Sequence, residues 1–338
     1  MRRSVRFLLG VCAGGAILAG YLYSVGAETV LARMTTIGPL TLGLVALLVM
    51  LEGVADGIGV WASIEPLGDG ISWPKSVQFA LAGDFFDTLS PAGPVSSEPI
   101  MARFFSVETE TGYAEALGVR STAKYIKSAT QVLLSAVLGL FLLVDVPNAT
   151  PILLTLGGSI VGLVVFGGVI LWSRASLSKG LVVVLTPLVA RVSGLYRDQP
   201  YGREFVATGV ERYWHRIVGF RERPGLLALI GVGAVVEQLL TASALWVAFV
   251  GLGADSVFLP ILVIIPLPQI ASVVPIPGSL GAYDLLLGGA LVVVTGVPGA
   301  VATAAVLLVR TLTLPFSAIA GGICVSYLRG WRLRESAG

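Results

Sequence analysis

The stretch Pro275-Ile276-Pro277-Gly278-Ser279-Leu280-Gly281-Ala282-Tyr283-Asp284 constrains this chain more than any other. It interrupts an apolar region, with Ile261 to Val274 before it and Leu285 to Val294 after it. Two prolines and two glycines cannot continue a helix, so backbone amides and carbonyls are left unpaired. Hydrocarbon cannot satisfy them, and such a break survives at membrane depth only when buried in protein or facing a wet cavity. Two ordinary helices joined by a surface loop would also place a break here. The flanking runs, however, fall short of the roughly 20 residues a full span needs. A re-entrant hairpin or discontinuous helix built for a polar ligand fits better, with the acid Asp284 directly after the break.

Apolar residues make up 55% of the chain and charged residues 12%. A soluble domain carries about 25% charge, so this composition belongs to a polytopic helical membrane protein. His215 is the sole histidine, which excludes mechanisms built on a histidine pair or a histidine-rich metal site. Cys12 and Cys324 lie in separate apolar runs without partners at metal spacing and read as packing residues. Met1-Arg2-Arg3, Arg6 and the following apolar run resemble a signal peptide, but the run is long for one, and an uncleaved first span is expected.

Expected full spans cover about Phe7–Ala27, Ile37–Ile64, Leu117–Val144, Ile152–Trp172, Leu226–Val250 and Pro298–Leu328, the last with a kink at Pro315. A second broken stretch occurs earlier. Ser76 to Leu89 runs into Ser90-Pro91-Ala92-Gly93-Pro94-Val95-Ser96-Ser97-Glu98-Pro99, and Ile100 to Phe105 follows. Between Arg174 and Arg223, arginines interleave with Phe205, Tyr213, Trp214 and Ile217, the pattern of a helix in the headgroup layer. The expected fold class is therefore an all-α polytopic membrane protein with about six full spans and two re-entrant broken-helix hairpins.

Basic residues decide orientation. Placing both termini in the cytoplasm puts the 174–223 segment and Arg329, Arg332 and Arg334 inside, provided each broken stretch enters and leaves on one side. The chain then divides into a first span and outer loop (1–36) and a first half (37–145) with a cytoplasm-facing hairpin at about 75–105. A span with the basic interfacial segment (146–224) follows, then a second half (225–338) with an exterior-facing hairpin at about 257–294 and a C-terminal helix. The two halves are one unit in opposite orientation, an inverted repeat of the kind found in alternating-access transporters.

A charge at bilayer depth costs roughly 2.5–3.5 kcal/mol on insertion scales. This chain places Glu52, Asp56, Asp84, Asp87, Glu98, Arg103, Glu237, Asp284 and Arg310 in or beside apolar stretches. Isolated ion pairs would account for one or two; so many suggest a wet interior path. Glu52, Asp56, Asp84 and Asp87 are candidates for ion or proton coupling. Arg310 is too deep to snorkel, and guanidinium grips phosphate bidentately; its expected resting partner is Glu237 or Glu98. Lys124 and Lys127 read as interface anchors. No phosphate loop or Ser–His pairing appears. Asp84-x-x-Asp87 alone is a weak metal signal. No enzyme activity, cofactor or metal is expected.

Pro91-x-Gly93 followed by Glu98 and Arg103, and Pro277-Gly278-x-x-Gly281 followed by Asp284 and Arg310, carry a resemblance. From about residue 5 to 330 the chain resembles the flippase-like family named for the transmembrane region of lysylphosphatidylglycerol synthase. That resemblance implies movement of a phospholipid or polyprenyl-phosphate carrier, with Pro91, Gly93, Glu98, Arg103, Pro277, Gly278, Gly281, Asp284 and Arg310 as matching site residues. Glu237 joins them here as a competitor for the arginines. Asp87 and Ala92 depart from the family's usual asparagine and basic residue, and Asp284 from its usual glutamate. The expected function is a plasma-membrane flippase or scramblase-like transporter of an anionic lipid. A secondary transporter of a small anion, and a non-transporting subunit that docks a glycosyltransferase or other lipid-modifying partner, remain open.

Overall fold

A computed structural model describes residues 15–67, 69–89, 94–194, 199, 201–255, 257–269, 279 and 281–329. All regular structure among them is helical. In chain order the helices are α1 (Gly15–Val25), α2 (Ala27–Thr35), α3 (Pro39–Ile64), α4 (Trp73–Leu89), α5 (Pro94–Glu108) and α6 (Tyr113–Leu142). Then follow α7 (Thr150–Trp172), α8 (Arg174–Ser193), α9 (Arg203–Gly219), α10 (Pro224–Gly251), α11 (Phe258–Ile264), α12 (Ala282–Thr295) and α13 (Gly299–Tyr327). Five of them, α3, α6, α7, α10 and α13, are long and apolar enough to cross a bilayer. The count rises to six if α1 and α2 form one span, although they meet at 86°. Gly26 makes that corner with φ 93°, a left-handed conformation that a side chain disfavours.

Proline sets several starts. Pro39, Pro151 and Pro224 occupy the first turns of α3, α7 and α10, where the missing N–H would be unpaired anyway. Pro315, expected to kink the last span, stands inside a helix that continues unbroken to Tyr327. The basic 174–223 segment forms two long helices, α8 and α9, which pack through Val182, Val206 and Val210. Pro91, Gly93, Pro277 and Gly278 lie outside the described residues, as does Cys12.

The centre is a crossing of α3 and α10, close enough that a Cβ on Gly233 would lie 3.0 Å from the Gly59 amide nitrogen. Around it, α4 packs on α3 and α13, α11 on α10 and α6, α5 on α6, and α12 on α13. Gly321 lets α13 lie directly against the Leu81 carbonyl of α4. Two apolar clusters hold this arrangement. One joins α3, α6 and α10 to α11, α12 and α13; the other joins α4 and α5 to the ends of α3, α6 and α10. By contrast α7 stands at the edge, with Val161, Val164, Val165 and Phe166 exposed.

Candidate functional site

The site grows from one face of α6. Arg120, Lys124, Lys127, Gln131 and Ser135 recur at intervals of three and four, so they line a single stripe. At 1.5 Å per residue that stripe runs about 22 Å along the helix, much of the bilayer's thickness. Each member meets a partner from another element.

At one end, Arg120 grips Glu98 of α5 through both carboxylate oxygens, at 2.7 and 2.8 Å, and lies 5.3 Å from the Phe105 ring centroid. Lys124 Nζ is 3.3 Å from Asp87 of α4 and 3.5 Å from Glu98. The Ser97 hydroxyl donates to the same Asp87. Next along, Lys127 bridges two long helices, with Nζ 2.7 Å from Asp56 of α3 and 2.5 Å from Glu237 of α10. Gln131 accepts a hydrogen bond from Gln269 at 2.8 Å and donates to the Ala234 carbonyl. Ser135 accepts from Gln238, whose amide also donates to the Leu262 carbonyl.

A second ion pair faces this stripe. Asp284, almost fully buried near the start of α12, accepts the Gly281 amide at 3.0 Å and holds Arg310 of α13, Nε to Oδ1, at 3.2 Å. The guanidinium carbon of Arg310 lies 4.6 Å from the centroid of the Tyr283 ring, a cation–π contact. Twice, therefore, an acid early in a short helix pairs with a cation on the following long one: Glu98 with Arg120, and Asp284 with Arg310.

Two cavities meet between these groups. One, of about 490 Å³, is lined by Asp56, Asp84, Asp87, Arg120, Lys124 and Lys127. The other, of about 210 Å³, is walled by Glu52 and Gln238 together with Leu48, Leu287 and Val306. Gln131, Glu237, Gln269, Tyr283 and Arg310 line both and so form the wall between them.

The expected site residues sort accordingly. Glu98, Glu237, Asp284, Arg310, Asp56 and Asp87 all join the paired network, but the partners differ from expectation. Glu237 pairs with Lys127 rather than Arg310, and Arg310 pairs with Asp284. Lys124 and Lys127, read as interface anchors, instead turn inward to carboxylates, because α6 enters the bundle with its basic stripe facing α3, α4, α5 and α10. Among the described residues Glu52 and Asp84 make no hydrogen bond or ion pair, yet each faces a cavity. Arg103 is half-buried on α5 and lines neither cavity, so the fold does not bring it to Arg310. Among the described residues no three His, Cys, Asp or Glu side chains converge as metal ligands, which leaves Asp84 and Asp87 without a third. Sequence reasoning missed Arg120, Gln131, Gln238, Gln269 and Tyr283. The regular spacing of Arg120, Lys124, Lys127 and Gln131 was the signal that could have found the stripe.

A search of curated proteins gives no significant match. A family profile described as the lysylphosphatidylglycerol synthase TM region matches residues 7–321. With an all-helical bundle of candidate spans around a charged interior, the chain belongs to the family of the lysylphosphatidylglycerol synthase TM region.

Proposed function

We propose that this protein carries a phosphate-bearing lipid headgroup across the bilayer, as a flippase or scramblase-like transporter. The observation that carries this reading is the wall of Gln131, Glu237, Gln269, Tyr283 and Arg310 between two cavities that charged side chains face, set among helices long enough to span. Charge at that depth is costly and marks ligand or ion pathways more often than structure. A phosphate entering from either cavity exchanges with Asp284 for Arg310, while the acyl or prenyl chain stays in lipid. The Arg120–Glu98 and Lys127–Asp56–Glu237 contacts offer further cations along the way. No covalent step is needed, so the reading is transport and not catalysis.

Helix lengths and neighbours support alternating access. At 1.5 Å per residue, α4, α5 and α12 reach about 25, 22 and 21 Å, short of a bilayer core of about 30 Å. In this reading α4–α5 and α11–α12 are re-entrant hairpins, and α3–α6 and α10–α13 form an inverted repeat. The neighbour relations support it. The contact of α4 with α13 is matched by α11 with α6, that of α3 with α4 by α10 with α11, and that of α5 with α6 by α12 with α13. Exchange of the two halves against each other would open the cavities in turn. The basic 174–223 segment favours cytoplasmic termini in a cell membrane.

The interior holds the cations Arg120, Lys124, Lys127 and Arg310, against the carboxylates Asp56, Asp87, Glu98, Glu237 and Asp284 and the unpaired Glu52 and Asp84. Carboxylates are in surplus, so an anion can be admitted only if some of them carry protons. That ties lipid movement to protons through Glu52 and Asp84. The same surplus favours one second reading, a zwitterionic headgroup whose ammonium meets carboxylates as its phosphate meets Arg310.

The test is reconstitution in proteoliposomes. Loss of protection of fluorescent phosphatidylglycerol and phosphatidylethanolamine from an outside quencher is measured beside uptake of radiolabelled phosphate. Protein-dependent flipping of the anionic lipid is expected, and flipping of phosphatidylethanolamine alone selects the second reading. Phosphate uptake without lipid flipping replaces the proposal with a small-anion carrier; neither activity leaves a docking subunit for a glycosyltransferase.

A further inference from the structure

The bundle carries another groove, remote from the charged interior. It holds about 580 Å³, within the range of about 300–1,000 Å³ typical of small-molecule sites, between α6, α7, α9 and the start of α10. Its walls are apolar and aromatic, with Tyr125, Phe166, Ile170 and Ile217 among them, and its polar edge is Arg221. Depth follows from the helix ends. Ile170 and Leu171 are in the last turn of α7 before the fully outward Trp172, and Leu227 is in the first turn of α10. The groove therefore begins at one membrane face and runs inward along the lipid-exposed helix α7.

Its rim has the complementary charge. Arg221 and Arg223 are exposed, and among the described residues Arg221 makes no ion pair or hydrogen bond. Beyond the shared wall of Trp214 and Val218 lies a basic hollow with Arg174, Lys179 and Arg203, opposed by Glu211. Trp214 Nε1 is shut off from water with no acceptor among the described residues, and a buried donor left so is costly. An apolar slot at the interface with cations at its mouth matches one occupant: an acyl chain ending in a phosphate ester.

We infer that this groove is a peripheral binding site for an anionic phospholipid, one chain lying between α6 and α7 and the phosphate at Arg221. Occupancy braces α9 and α7 against α6, the helix that carries the charged stripe on its other side. The site stands independently of the transport reading, since none of its residues belongs to the central network.

Native mass spectrometry of the purified protein, loaded with palmitoyl-oleoyl phosphatidylglycerol or the matching phosphatidylcholine, tests it. One interfacial cation near an anionic headgroup predicts about fivefold stronger retention of phosphatidylglycerol, lost in Arg221→Gln. Gly168 lines the groove and a Cβ there meets nothing within 4 Å, so Gly168→Leu puts a side chain into the slot and is expected to lower retention of both lipids. Equal retention of the two lipids by the wild type overturns the assignment. So does a Gly168→Leu protein that keeps wild-type retention. If Gly168→Leu changes the oligomeric state but not lipid retention, the occupant is a second copy of the chain and the lipid assignment fails.

Discussion

Replacing Lys127 by Met removes the single positive charge that Asp56 and Glu237 share. With an effective dielectric constant of about 20, contacts of 2.7 and 2.5 Å are each worth about 6 kcal/mol before desolvation. Most of that is cancelled by the cost of taking the groups out of water. Removing one partner of a buried pair typically destabilises by about 3–5 kcal/mol, because the other charge stays behind. Here the three side chains keep 15–23% of their surface, facing cavities, so the lower end applies, about 3 kcal/mol. Thermal unfolding in mild detergent, followed by size-exclusion chromatography, reads the loss. The combined Lys127→Met/Asp56→Asn/Glu237→Gln protein is expected to recover most of it, since no charge is then stranded. The deficit of the single variant should also shrink as pH falls, because a protonated carboxyl needs no counter-charge. A Lys127→Met protein that melts with the wild type at neutral pH would refute the claim that this lysine neutralises the crossing of α3, α6 and α10.

Other perturbations separate packing from charge. Gly321→Val should destabilise by about 1–3 kcal/mol in the same melting assay, since its side chain would meet the Leu81 backbone; Gly289→Val, with open space at Cβ, should not. Arg120→Lys keeps the charge but loses the two-point grip on Glu98, and should cost about 2 kcal/mol. Glu52→Gln and Asp84→Asn are close in shape to the protonated acids and, among the described residues, break no ion pair, so melting should fall by no more than about 0.5 kcal/mol. The same two variants should flatten the dependence of lipid flipping on an imposed pH gradient, and an unchanged dependence in both would remove them from proton coupling.

Much of this architecture could be read from the chain because hydrocarbon admits so few solutions. Runs such as Pro39–Ile64 and Pro224–Gly251 announce spans by length and composition alone. Asp284 and Arg310 stood out because each interrupts such a run. Pairing was another matter. Which acid meets which base depends on how α6 is rotated against α3, α4, α5 and α10, and no local pattern states that rotation. Lys124 and Lys127 looked like interface anchors because they sit near the polar start of α6, where lysines usually reach for headgroups. Their spacing with Arg120 and Gln131 put them on one face, but only the neighbours show that this face points inward. Gln238 and Gln269 carry no charge and so raised no alarm, although a buried amide demands partners as firmly. The corner at Gly26 was hidden because the expected first span, Phe7–Ala27, ran straight through it, and one glycine in a run rich in glycine does not announce a turn.

The most direct measurement is lipid flipping by the paired variant Asp284→Asn/Arg310→Gln, reconstituted beside the wild type. The substitutions remove both charges of one buried pair, so the protein should fold and melt close to the wild type. If Arg310 serves the headgroup, flipping of phosphatidylglycerol falls to the level of protein-free liposomes. Flipping at the wild-type rate by a folded double variant would mean that this pair is structural, and that the headgroup takes another route.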